Sequence, residues 1–157
     1  MTPDERHALV ARYRAGYSEV AAALDGITPH ELDFHPAPGA WSPREIVHHL
    51  ADSEMTSALR LRRLVAEDAP AIVGYDQDHY ARTLFYDRPI EASLDAFRAA
   101  RASTAQILDR LDEAQWQRAG THSESGRYDV ETWLRVYARH AHGHADQIRR
   151  ARAAARG

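Results

Sequence analysis

The chain has 157 residues, no cysteine and a net charge of −3 with histidine neutral, and 44% of it is hydrophobic against 27% charged. That length suits one domain, residues 1–157, around a single core, and the composition is far from the charge-rich, apolar-poor balance of disordered chains. The missing cysteine excludes disulfides, thiolate metal sites and a cysteine nucleophile, and the acidic balance gives no field for recruiting nucleic acid or anionic lipid.

The opening MTPDERHALV lacks the apolar segment of a signal peptide. No apolar run approaches the ~18 residues of a membrane span. We therefore expect a cytoplasmic protein. Helical periodicity first runs from about Pro3 to Leu24, with Thr2 as N-cap, Pro3 at the first helical position and Gly26 just past the end. The second helix opens on Ser42-Pro43-Arg44-Glu45. This is a capping box, in which Ser and Glu side chains satisfy backbone donors that the first turn leaves unpaired. It should continue to about Ala66, ahead of Asp68-Ala69-Pro70.

A long connection, Pro70 to Arg88, is rich in Tyr, Asp and His. A third helix starts near Pro89 and passes through Leu94, Phe97, Ile107 and Leu111, and a fourth spans about Asp129 to Ala153 after a second connection, Thr121 to Gly126. Long connections in compact domains are often functional. No alternating apolar pattern indicates a strand and no internal repeat is present, so the expected architecture is all-α, a four-helix bundle with long connections. Arg149, Arg150, Arg152 and Arg156 are cations at a helix C-terminus, where the helix dipole favours them.

The last helix holds the stretch YARHAHGHADQI. Residues i and i+4 share a helix face, whereas i and i+2 lie nearly opposite. Trp133, Tyr137, Ala141 and Ile148 mark a buried stripe; His140 and His144 fall inside it, one turn apart, and His142 points away. Two inward imidazoles at that spacing can reach one metal ion, as the two His of HExxH helices do, although here no Glu lies between them. The pair alone is a moderate signal in a chain with 10 histidines. A third ligand is available on the second helix, where His48 and His49 flank the stripe of Ile46, Leu50, Leu61 and Leu64 about equally. Periodicity does not choose between them: one could border the interior and the other remain at the surface.

The block Trp41-Ser42-Pro43-Arg44-Glu45-Ile46-Val47-His48-His49-Leu50-Ala51-Asp52-Ser53-Glu54, followed far downstream by His140-Ala141-His142-Gly143-His144, resembles the DinB/YfiT-like superfamily of metal-binding four-helix-bundle proteins. The likeness extends over nearly the whole chain, through LDFHPAPGAW, Tyr75-Asp76 and His122-Ser123-Glu124-Ser125-Gly126. It implies that the ligand of the second helix is the histidine before the aliphatic residue, His49 before Leu50, with His48 as the alternative. It also implies that His140 and His144 complete a site for zinc, nickel or another divalent ion. Members are described as metal-dependent hydrolases or look like transferases of bacterial low-molecular-weight thiols, and homodimers are common among them.

Other residues have assignments of their own. Asp52, one turn from His49, could accept a hydrogen bond from its imidazole or be a solvated carboxylate. Glu45 belongs to the capping box. His79 and His122 lie in loops, where exposure is expected, although either could edge the site. Tyr75 and Tyr80 could form an aromatic wall over the metal or simply pack the loop. His7, His30 and His35 have no partner pattern.

Three neutral imidazoles leave a divalent ion at least one open position. On zinc such a set lowers the pKa of water to ~7, and the same Lewis acidity favours a thiolate. The expected function is therefore a metal-dependent enzyme, a hydrolase or thiol S-transferase, acting on a small molecule that includes or meets a low-molecular-weight thiol. The alternative is a non-catalytic metal-binding stress-response protein, whose structural ion would need a fourth ligand, for example His79 or His122. No nucleic-acid or membrane partner is expected.

Overall fold

The computed structural model describes residues 1–157. Four long helices form the bundle: α1 (Pro3–Leu24), α3 (Pro43–Ala66), α5 (Glu91–Leu108) and α7 (Val130–Ala155). Short helices α2 (Pro29–Asp33), α4 (Gln77–Thr83) and α6 (Glu113–Trp116) lie in the connections. The capping box of α3 is formed as its sequence predicts: Glu45 N donates to Ser42 Oγ at 3.3 Å and Ser42 N donates to Glu45 Oε2 at 2.8 Å. Thr2 and Glu5 make the same reciprocal pair for α1. α5 ends at Leu108, short of Leu111, and α7 starts from its N-cap Asp129 and runs two residues past Ala153.

Each long helix packs against two others, α1 on α7 and α5, and α3 on α5 and α7. Side-chain pairings give the directions. Arg6 meets Glu131 and Arg149 meets Glu19, so α1 and α7 are parallel. His48 meets Ser93 and Arg62 meets Thr104, so α3 and α5 are parallel as well. His49 meets His140 while Trp133 Nε1 donates to the Ser57 carbonyl, so α3 and α7 are antiparallel. Parallel neighbours need a connection that travels the length of the bundle. The α3–α5 connection does this, running back along α3 past Arg60, Asp52 and His48 through contacts from Val73, Tyr86 and Arg88 in turn.

The chain also forms a small sheet that the absence of alternating apolar residues did not predict. Strands β1 (Ala71–Ile72), β2 (Ala119–His122) and β3 (Gly126–Asp129) pair in that order, β1 parallel and β3 antiparallel to β2. Two to four residues are too few to show a period. The sheet ties both long connections together at the end of the bundle where α3 finishes and α7 begins.

The core is divided lengthwise. One apolar cluster includes Tyr13, Leu61, Trp133 and Leu134, and the other Val20, Leu50, Phe97, Ala141 and Ile148. Between them lie buried polar groups: Glu54, Arg101, Ser53 and His49, each no more than 4% exposed. No helix is long and apolar enough to cross a membrane.

Candidate metal centre

The polar layer holds the site. His49 projects from α3, and His140 and His144 project from successive turns of α7, the helix that faces it. His140 Nε2 lies 3.3 Å from His49 Nε2 and 3.2 Å from His144 Nε2. The three ligand atoms all fall within 4.8 Å of one another. Metal–nitrogen bonds in zinc sites are about 2.0–2.1 Å, so the edge of a tetrahedral site is about 3.3 Å. Two of the three nitrogen spacings match that edge.

Hydrogen bonding among the rings does not account for the arrangement. His144 Nδ1 donates to Gln147 Oε1 at 2.9 Å, which leaves its Nε2 with only a lone pair. A single hydrogen on His140 Nε2 cannot point at both neighbours, and His49 Nδ1 is buried with no partner at all. Burial keeps the rings neutral. It pushes His49 down to about 3, with the nearby His144 adding to the effect. His140 falls to about 2 through burial, its two histidine neighbours and the Arg101 cation. Burial also lowers His144, against the opposing bond to Gln147. Three neutral, inward, lone-pair-bearing nitrogens form a donor set that fits a divalent cation.

The indole of Trp41, in the approach to α3, lies over His49 with ring centroids 4.7 Å apart. Tyr137, one turn before His140, meets that ring edge-on at 5.8 Å. His49 therefore packs between a second helix and an aromatic lid. Neither Trp41 nor Gln147 is marked as a site residue by the sequence pattern, although Gln147 lies at i+3 from His144, a spacing that places it on the same face.

His48 does not remain at the surface. It is fully buried on the α5 side of α3, where its Nε2 donates to the Arg88 carbonyl at 3.0 Å and its Nδ1 faces Ser93 Oγ at 2.8 Å. It pins the returning connection and takes no part in the histidine cluster. Asp52 does not orient His49 either, because its Oδ2 accepts the Tyr86 hydroxyl at 2.7 Å. Glu45 has the capping role expected of it. His142 faces away from the cluster and donates from Nε2 to the Arg12 carbonyl of α1 at 2.9 Å.

His122 lies on β2 rather than in a loop and is buried, with its ring 5.3 Å from that of Tyr128 and its Nδ1 accepting from Glu124 N. His79 is exposed on α4. Neither belongs to the histidine cluster. Tyr75 and Tyr80 stack on each other at 4.6 Å. His35 Nδ1 bonds the Ala40 carbonyl, and His7 and His30 are exposed.

Beneath the histidines sits a buried triad that periodicity did not single out. Glu54 Oε2 pairs with Arg101 Nη2 at 2.6 Å, and Glu54 Oε1 accepts the Tyr13 hydroxyl. Arg101 also donates to the Tyr13 carbonyl at 2.5 Å and stacks over the Tyr13 ring at 4.2 Å. Burial outweighs these partners and pushes the Glu54 carboxyl upward.

Comparison with known proteins agrees with this architecture. A family model described as the DinB superfamily matches residues 12–148. A protein of Oceanobacillus iheyensis named as a candidate metal-dependent hydrolase is 33% identical over 118 residues, which is 75% of this chain and 69% of that protein. A similarly named protein of Geobacillus kaustophilus is 28% identical over 141 residues, 88% of this chain and 79% of its own. Bacillus subtilis YfiT, described as a candidate metal-dependent hydrolase with an unusual four-helix-bundle topology, has a TM-score of 0.90 at 24% identity, covering 96% of this chain and 87% of that one. TT2238, described as a four-helix bundle protein, has a TM-score of 0.67 at 23% identity, with 92% of this chain and 98% of that one covered. With the family model spanning nearly the full bundle, the chain belongs to the DinB superfamily.

Proposed function

We propose that this protein is a metal-dependent hydrolase whose divalent ion is held by His49, His140 and His144. The observation that carries this reading is the convergence of three neutral Nε2 atoms, 3.2 and 3.3 Å apart, from two helices. A divalent ion held by these three residues, zinc or nickel foremost, would supply the Lewis acidity that lowers the pKa of a bound water or thiol toward neutrality.

The protein's own residues do the rest. Burial holds all three imidazoles unprotonated, so protons do not compete for their lone pairs at neutral pH. Gln147 fixes the tautomer and orientation of His144. Trp41 shields one flank of His49 from solvent. Of the side chains that could close the site, His122 bonds within the sheet, Asp52 holds Tyr86 and Glu45 caps α3, while His79 is exposed on α4 outside the cluster. Structural zinc sites are closed by four protein ligands, so a three-ligand set supports a centre with room for substrate. The names of the relatives support hydrolysis.

The metal-loaded protein, assayed with an activated aryl ester with and without added cysteine, tests this reading. Turnover with water alone, unchanged by the thiol, is the expected result. Turnover that requires the thiol would replace hydrolysis with thiol transfer. A bound ion with no turnover under either condition would leave a non-catalytic metal-binding protein.

A further inference from the structure

Helix periodicity fixes what lies beside the histidine layer. Ser53 is one turn beyond His49 along α3, and Tyr137 is one turn before His140 along α7. The two helices are antiparallel, so both steps lead toward the sheet end of the bundle, about 5.4 Å from the histidines. Tyr137 is only 5% exposed. Ser53 is buried as well, and Tyr75, in the α3–α5 connection, lies with its ring centroid 5.9 Å from the Arg60 guanidinium. Behind them Arg60 donates from Nη1 to the Tyr137 oxygen at 3.2 Å and from Nη2 to the Val73 carbonyl at 2.6 Å.

These contacts define a polarity. Both of Arg60's partners are neutral oxygens, so its charge is not cancelled by a carboxylate. The Tyr137 oxygen accepts from that cation, which strengthens its O–H as a donor. Neither nearby carboxylate is bonded to Tyr137: Glu54 is bound by Tyr13 and Arg101, and Asp52 by Tyr86. A phenol donor backed by an uncancelled cation, one turn from the histidines, complements an oxygen that carries negative charge.

We propose that Tyr137 is the group that grips a substrate's acyl or carboxylate oxygen, with Arg60 as its positioning residue. The substrates are then small carboxylic acid derivatives. In ester hydrolysis water adds to the acyl carbon, the alcohol leaves with one of that water's protons, and the acyl oxygen bears negative charge between the two events. Tyr137 donates to that oxygen without giving up its proton. This role rests on the three-histidine metal site proposed above.

The test uses the cobalt-loaded protein and two probes read by the sulfur-to-cobalt absorption band: mercaptoacetate, which carries a carboxylate, and ethanethiol, which does not. The wild type should prefer mercaptoacetate. In Tyr137→Phe and in Arg60→Met that preference should fall about tenfold, the value of one charge-assisted hydrogen bond, with ethanethiol affinity and cobalt content unchanged. A preference that survives in both fully loaded variants overturns the assignment. So does loss of ethanethiol binding in both, which would make this layer a support for the histidines instead. A wild type that takes up no cobalt sinks the metal site itself, and this role with it.

Discussion

Gly16 of α1 leaves the space in which the Arg101 guanidinium lies. A Cβ at Gly16 would overlap that guanidinium and come within 2.8 Å of the Ala141 Cβ, next to His140. We predict that Gly16→Ala lowers stability by about 1–3 kcal/mol, as overpacked core substitutions do, measured by denaturant titration. Arg101→Met should cost more, about 3–5 kcal/mol, because it strands the Glu54 carboxylate in the core. Adding Glu54→Leu should recover most of that loss; a double variant as unstable as the single would show that the ion pair is not the cause. None of this triad was legible in the sequence, because an Arg, a Glu and a Tyr on separate helices carry no spacing that links them. The histidines of α7 were legible because both lie on one helix with apolar markers of the same face. On α3 the markers flanked His48 and His49 equally, and only packing separates them: His48 faces α5 and His49 faces α7.

At the scale of elements, the parallel pairing of α3 and α5 is what makes the intervening connection long, and the sheet is what anchors it. Gly120 lets β2 approach Pro70 so closely that a Cβ there would overlap the Pro70 carbonyl, the acceptor of the Thr121 N–H at 3.0 Å. Gly120→Ala should therefore loosen β1. The amide hydrogens of Thr121 and Ser123, which bond Pro70 and Ile72, should exchange faster while those in the middle of α7 do not change. Unchanged protection at both amides would mean that the connection is held by other contacts. Two long helices were readable from their caps, Thr2-Pro3 and Ser42-Pro43, and the start at Asp129 is kept, whereas α5, expected from near Pro89, begins at Glu91 with no side-chain cap. The strands were not, since their pairing partners are distant in sequence and their lengths give no period.

For the whole molecule, burying four histidines in the neutral form couples folding to pH. Burial lowers His48, His49, His140 and His144 below the ordinary value of 6.5. The unfolded chain binds protons at these rings below about pH 6.5 that the folded one refuses, so stability is lost as pH falls from there, at up to about 1.4 kcal/mol per pH unit for each ring. Denaturant midpoints of the metal-free protein should therefore drop steeply from pH 7 to pH 5. A flat profile over that range would mean the rings are protonated in the fold. Whether two helices bring three imidazoles to one ion can be read from the metal content of protein purified without an affinity tag, alongside His48→Ala, His49→Ala and His140→Ala. The wild type and His48→Ala should each carry one equivalent of divalent metal and the other two should lose it; a full equivalent retained by both His49→Ala and His140→Ala would rule the three-histidine site out.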